Sequence, residues 1–378
     1  MAHFIHHVVN ALLVPLLPFI RDDFALDYTQ AGIVVAAFTL PYGISQIPSG
    51  WLADRVGRRI MITLGISGVG LAGLLVGLSQ TYIMMIVFLA LMGVVGGGYH
   101  PSAPPLVSAS VEPENRGRAL GIHLIGGSGS HFLSPLIGVA IATTWGWRGS
   151  FIGLAVPAMV FGIIFYILLG RQVVASKEQP VITDRHEESP SSPIHLRRLV
   201  IFITLATVTS AILHSTIAFI PLFMVDHFGV GEEIAAIFLA MIYSAGLWAG
   251  PLGGYLSDRL GRVPVILAVC FIVSPVIYLL NLVPYGLGFG ALLIIIGMLM
   301  MMRGPVAEAY IISETPERRR STVLGIYYFA GMEGGGLLMP VIGYLIDKFG
   351  FYTSFTAASA ALATVTLTCA VFLWGDRD

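Results

Sequence analysis

The segment Gly50-Trp51-Leu52-Ala53-Asp54-Arg55-Val56-Gly57-Arg58-Arg59 is a basic turn, punctuated by glycines, between two long apolar runs. It recurs as Gly254-Tyr255-Leu256-Ser257-Asp258-Arg259-Leu260-Gly261-Arg262, at a constant offset of 204 residues. We call these two segments the repeated turns. One such turn is explained by the excess of arginine beside membrane spans, but two copies in matching positions indicate a duplicated helical bundle.

The composition of the chain is that of a membrane protein. Of its 378 residues, 56% are hydrophobic and 11% are charged, with a mean hydropathy of +0.86. Soluble domains carry roughly 25% charged residues, so a soluble core could not absorb this apolar surface. The net charge of -1 gives no reason to expect nucleic-acid binding, and Cys270 and Cys369 lie in apolar runs with no disulfide framework.

Windows of about 20 apolar residues predict twelve transmembrane helices. The fold class is therefore an all-α polytopic membrane protein with two pseudo-symmetric bundles of six helices. We place the first bundle at 1–171, a polar linker at 172–196 and the second bundle at 197–378. Sixteen lysines and arginines fall in one set of loops and three in the other, which predicts an inner-membrane protein with both termini in the cytoplasm.

The repeat register also bears on the N-terminus. Span seven begins near Arg198, whose counterpart would precede Met1. We therefore expect a natural first helix that is longer than the one given.

The repeated turns, the twelve spans and the central linker resemble the major facilitator superfamily over essentially the whole chain. The resemblance implies two bundles around a midplane cavity that rock to expose it to each side in turn. It also implies a latch between the halves, with Asp54 near Ser321 and Asp258 near Arg118. The expected latch residues are Gly50, Asp54, Arg55, Gly57, Arg58, Asp258, Arg259 and Arg262.

A narrower resemblance concerns substrate class. The run Gly96-Gly97-Gly98-Tyr99-His100-Pro101 is similar to the fosmidomycin-resistance branch of drug exporters. Span five carries Ser134-Pro135-Leu136-Ile137-Gly138, an incomplete antiporter signature in which Ser134 and Val139 replace two glycines. These features favour an antiporter that exports a drug-like or organic compound.

Polar residues within the spans are candidate functional groups, because burying a charge in hydrocarbon costs about 2.5–3.5 kcal/mol on insertion scales. The resemblance implies a cavity lined by spans one, four, seven and ten. We expect the following residues to line it: His3, His6, His7, Asn10, Tyr99, His100, His131, His214, Arg303 and Tyr327.

The first four of these residues are spaced i, i+3, i+4 and i+7, which predicts one polar stripe on a helix facing the cavity. His3 and His7 could bind a borderline metal such as zinc. A divalent metal or metal chelate is therefore the main alternative substrate, although no cysteine or carboxylate completes a site nearby.

Energy coupling is assigned to Glu333 and Arg303, on neighbouring spans at similar depth, and Glu308 is placed nearer the gate. A permanent salt bridge that fixes helix packing is the alternative. We expect no cofactor, only a proton gradient, and a monomer whose partners are a small-molecule substrate and the lipid bilayer. A non-transporting ligand sensor is the competing class, and no enzyme motif is found.

Overall fold

The structure is a computed structural model that describes residues 1–112, 115–173 and 193–374. These residues form α-helices joined by short turns, with one π-helical and one 3₁₀ segment, and no strand occurs among them. Most of the predicted linker, 174–192, lies outside the described residues. The helices α8 and α9 extend into its edges, to Val173 and from Pro193.

Eight helices and a π-helical segment build the first half. They are α1 (Ala2–Asn10), α2 (Leu17–Phe24), α3 (Tyr28–Val56), α4 (Arg58–Thr63), the π-helical segment (Leu64–Gly68), α5 (Val69–Gly77), α6 (Tyr82–Gly96), α7 (Tyr99–Ala109) and α8 (Arg116–Val173).

Seven helices and a 3₁₀ segment build the second half. They are α9 (Pro193–Ala218), α10 (Ile220–Phe228), α11 (Glu232–Ser244), the 3₁₀ segment (Ala245–Leu247), α12 (Ala249–Leu260), α13 (Arg262–Leu279), α14 (Leu287–Glu314) and α15 (Glu317–Trp374).

Several predicted spans are broken helices. Within the described ranges, eight helices are long and apolar enough to cross a membrane, and the bent pair α11 and α12 makes nine. Two of the eight, α8 and α15, each contain a non-helical residue, Gly146 and Gly350, that divides them into two segments. With α1 and α2 read as one interrupted span, this architecture is consistent with the twelve predicted spans and confirms the polytopic helical fold.

The duplication is also visible in the backbone. Residues with positive φ recur at the sequence offset: Ala25 (51°) with Gly229 (66°), Gly57 (94°) with Gly261 (89°), and Gly146 (71°) with Gly350 (73°). Side-chain packing repeats as well, because Arg55 stacks on Trp51 at 3.8 Å and Arg259 on Tyr255 at 4.7 Å. Gly57 and Gly261 thus have the unusual conformation predicted for the turns, since L-residues with a Cβ rarely tolerate positive φ.

The halves meet mainly along two helix pairs, α3 with α15 and α8 with α11. The first pair is very close, because a Cβ on Gly32 would overlap the Met339 carbonyl and one on Gly343 would overlap the Tyr28 carbonyl. Small residues at these positions let the two backbones touch. The remaining helices pack chiefly within their own half, and a cavity is left between the two bundles.

Candidate functional site

The cavity between the bundles has a volume of about 250 Å³. Its wall includes His3 and His7 of α1 and His131 of α8 from the first half, and His214 of α9 and Tyr243 of α11 from the second half. Leu124, Gly127, Ser128, Met300 and Met301 complete the lining. Four imidazoles, a phenol and two thioethers thus surround one space that both bundles share.

The α1 stripe is divided between two environments. His3 and His7 line the cavity, whereas His6 is fully buried inside the first half. Both ring nitrogens of His6 are occupied, Nδ1 by the Gly65 carbonyl at 2.7 Å and Nε2 by the Tyr42 hydroxyl at 3.0 Å. Successive helical residues point about 100° apart, so His6 and His7 cannot share one direction. In this structure His6 does not line the cavity.

Three of the four histidines that line the cavity have a common hydrogen-bonding pattern. In His3, His131 and His214, Nδ1 lies 2.8 Å, 3.0 Å and 2.8 Å from a backbone carbonyl oxygen. A carbonyl oxygen can only accept, so each Nδ1 carries the proton and each neutral ring keeps a lone pair on Nε2. Each of these three rings therefore has an unprotonated Nε2 that can accept a hydrogen bond or bind a metal ion.

Arg303 lies behind the cavity wall in the second half. Its side chain is 6% exposed and donates to the Ala206 carbonyl at 2.9 Å, the Ser210 hydroxyl at 2.9 Å and the Tyr327 hydroxyl at 3.3 Å. Ser210 in turn contacts His214, which lines the cavity. The guanidinium is thus hydrogen-bonded by neutral groups, and Ser210 connects it to His214 in the cavity wall.

These polar groups of the second half occupy positions equivalent to an aromatic stack in the first. At the repeat offset Ser210 corresponds to His6, Arg303 to Tyr99, and Tyr327 to His123. His6 stacks on Tyr99 at 4.2 Å and Tyr99 on His123 at 6.0 Å. Each half therefore has one polar cluster at equivalent positions. In the second half it is built from hydrogen bonds to the Arg303 guanidinium, and in the first half from stacked aromatic rings.

Sequence reasoning did not select His123, which stacks on His3 at 4.2 Å, or Tyr42 and Tyr243. The direction in which these three side chains point depends on how each helix is rotated about its axis, and the sequence does not give that rotation. For His123 a signal was available, because its repeat partner Tyr327 had been selected.

Of the two acidic residues assigned to coupling, the structure describes the side chain of Glu308 but not that of Glu333. The backbone of Glu333 lies in α15, but its side chain is outside the described part of the chain. Glu308 of α14 is hydrogen-bonded by Tyr328 and lies near Arg303. The Glu333–Arg303 pair therefore stays a prediction.

The expected latch is not engaged among the described side chains. Asp54, Arg55, Arg58, Asp258 and Arg259 are exposed, and no ion pair links any of them to another described side chain. The side chain of Ser321, the expected partner of Asp54, lies outside the described residues, and Arg118 is exposed. The latch therefore stays a prediction.

The opposite end of the molecule is closed by contacts that the sequence did not reveal. Asp226 of α10 accepts hydrogen bonds from Arg21 of α2 and, at 2.6 Å, from the Tyr28 hydroxyl of α3. Asp347 of α15 accepts from the backbone N–H groups of Tyr28 at 2.9 Å and Thr29 at 2.8 Å. We call these contacts the Asp226 gate. It joins the two halves on the side opposite the repeated turns.

Comparison with known proteins decides the family. A sequence profile of the Major Facilitator Superfamily matches residues 1–338. The chain belongs to this superfamily. Among its transporter relatives, the probable sulfoacetate transporter SauU of Cupriavidus necator is 27% identical over 68% of this chain and 63% of its own length, less than two thirds of that relative. The multidrug resistance protein MdtG of Escherichia coli is 26% identical over 97% of this chain and 90% of its own.

A solved structure of the superfamily shows the same fold. A bacterial homologue of the human lysosomal transporter Spinster, in an inward-facing and occupied conformation, aligns with a TM-score of 0.78 at 17% identity. The alignment covers 99% of this chain and 95% of that chain. The narrower resemblance to fosmidomycin-resistance exporters stays a prediction.

Proposed function

We propose that this superfamily member is a secondary active transporter that moves a small organic solute by alternating access, with export of a drug-like compound favoured. The observation that carries the proposal is the shared cavity. His3, His7 and His131 on one side face His214 and Tyr243 on the other, and the Asp226 gate closes one end. Rocking of the bundles would open that end and close the other.

The composition of the wall supports an amphipathic solute. Met300 and Met301 supply adaptable apolar surface, while imidazoles and the Tyr243 hydroxyl supply directional hydrogen bonds. One relative is named for sulfoacetate and another for multidrug resistance, so both organic acids and drug-like compounds belong in a substrate screen.

Proton coupling is part of the proposal. Arg303 is buried among neutral partners, and a carboxylate that approached and left it could bind and release a proton during the cycle. Glu333 is the proposed carboxylate, because its neighbours Gly331 and Gly334 lie against Ser210 and Ala211 of α9, the helix that also binds Arg303. We also propose an inner-membrane location with both termini in the cytoplasm, because the repeated turns and the loops on their side carry most of the lysines and arginines.

A counterflow assay tests the transporter class directly. Purified protein in liposomes, preloaded with unlabelled solute, should exchange labelled solute, and an imposed pH difference should drive accumulation. A sensor with the same fold would bind the solute without exchanging it, and that result would exclude transport. Right-side-out and inverted membrane vesicles then separate export from import.

A matched pair of variants ties transport to the cavity. Met301→Trp fills the space that Met301 borders, so it should abolish counterflow. Leu287→Trp adds a similar volume at a position that is 96% exposed and outside the cavity, so it should leave counterflow unchanged. Equal activity of the two variants would show that the solute uses another route.

A further inference from the structure

Three histidines from two helices of the first half converge beside the cavity, and two of them, His3 and His7, line it. The ligand nitrogens of His3 and His7 of α1 and His100 of α7 all lie within 4.8 Å of one another. We propose that His3, His7 and His100 form a binding site for a divalent transition metal ion, with a further coordination position open to the cavity.

The backbone explains why these side chains meet. His3 and His7 are spaced i, i+4 on α1 and therefore lie on one helix face, with ring centroids 5.0 Å apart. α7 begins at Tyr99, directly after Gly97 and Gly98, which separate it from α6. The ring centroid of His100, in the first turn of α7, lies 5.3 Å from that of His3 and 5.2 Å from that of His7. A pair on one helix and a third residue from a facing helix form one side of a tetrahedral site.

The tautomer of each α1 histidine suits a metal ligand. The Nδ1–H of His3 donates to the His123 carbonyl at 2.8 Å, and Nδ1 of His7 lies 3.2 Å from the Asn10 side-chain oxygen. A metal-binding histidine commonly donates its other N–H to an oxygen in this way, which fixes the ring and raises its basicity. Both rings are thus prepared to use Nε2 as a ligand.

A second observation points to a missing partner at this position. His3 is only 6% exposed, and its Nε2 is buried and has no hydrogen-bond partner among the described residues. A buried polar atom without a partner destabilises the protein, because it has lost its hydrogen bonds to water and gained none in return. Ring packing alone would leave that cost uncompensated, whereas a metal ion would remove it.

The donor set selects the class of ion. Neutral imidazole nitrogens suit Zn²⁺, Co²⁺ and Ni²⁺, whereas Mg²⁺ and Ca²⁺ prefer oxygen ligands. A tetrahedral Zn²⁺ with Zn–N distances of about 2.0–2.1 Å needs its nitrogens about 3.4 Å apart. The nitrogens now lie within 4.8 Å of one another, so side-chain rotations that shorten these distances by up to about 1.4 Å would complete the site. His3 and His7 line the cavity, which provides the entry path.

Binding of Co²⁺ to purified protein tests this site without any transport measurement, so its failure and failure of the proposed transport function are distinguishable. The protein, prepared in detergent with an affinity tag that contains no histidine, should give the visible absorption of tetrahedral Co²⁺ and exchange it for Zn²⁺. X-ray absorption of the Zn²⁺ form should show three imidazole nitrogens. Absence of a saturable signal would overturn the proposal.

Variants assign the signal to residues. His3→Gln and His100→Gln should each weaken Co²⁺ binding by at least about tenfold, and Asn10→Ala, which removes the oxygen beside His7, should weaken it by about tenfold or more. His227→Gln is the control, because His227 stacks on Phe223 of α10 away from this cluster. Gel filtration and thermal unfolding would verify the fold of each variant. Unchanged binding in the two cluster variants that remain folded would refute the assignment.

Discussion

Asp347 offers a sharp test of how the molecule switches between states. The first four N–H groups of a helix need partners from outside the helix. In α3, the Asp27 N–H is bonded by the Gln30 side chain at 3.1 Å and the Gln30 N–H by the Asp27 side chain at 2.7 Å. The other two, Tyr28 and Thr29, are bonded by Asp347. Two of the four N–H groups at the start of α3 are therefore bonded by a residue of the opposite bundle.

The perturbation is Asp347→Ala. Loss of a capping carboxylate costs about 0.5–2 kcal/mol. Because Asp347 reaches α3 only when the Asp226 gate is closed, that cost falls on the closed state alone. Since 1.4 kcal/mol corresponds to a factor of ten, the ratio of closed to open gate should fall by about two- to thirty-fold.

Double electron–electron resonance measures the shift. Spin labels at Gln80→Cys in the first half and Leu287→Cys in the second lie at exposed positions on the gate side, with native Cys270 and Cys369 replaced. The longer distances should gain population in Asp347→Ala.

Asp27→Ala is the matched control. It removes a cap of the same helix that comes from the adjacent residue in the first half. Because this contact is local to α3, we expect it to persist when the gate opens. Asp27→Ala should destabilise the protein without moving the distance distribution. An unchanged distribution in Asp347→Ala, or an equal shift in Asp27→Ala, would refute the reasoning.

Three further outcomes are expected. Asp54→Asn removes the carboxylate of the first repeated turn. Spin labels in the two halves on the repeated-turn side should then be at the longer, open-state distance more often, and transport should slow. Unchanged distances would contradict a latch. Glu333→Gln should abolish pH-driven accumulation while solute counterflow persists, and accumulation that survives would transfer the coupling role to a cavity histidine. Gly57→Ala places a Cβ at a φ of 94° and should cost about 1–3 kcal/mol, seen as earlier thermal unfolding, whereas Gly254→Ala, with open space and no positive φ, should not destabilise the protein.

The elements that the sequence predicted correctly depend on local or repeated information. Apolar run length and low charge indicated the polytopic helical class, because a helix must satisfy its own backbone in lipid. The glycines of the repeated turns predicted an unusual backbone, and Gly57 and Gly261 both have positive φ. The sequence predicted a boundary between two spans at Gly146 and another at Gly350, but it did not reveal that a single non-helical residue makes each break.

The sequence by itself determined the class, the duplication and the approximate depth of each polar residue. Only the tertiary structure decided which of them meet. Depth follows from a rise of 1.5 Å per residue, but direction depends on helix rotation, and neighbouring positions differ by about 100°. His6 and His7 are adjacent in sequence, yet one stacks on Tyr99 inside the first half and the other faces the cavity. Asp347 caps a helix more than three hundred residues earlier in the chain, a contact set by how the two bundles pack.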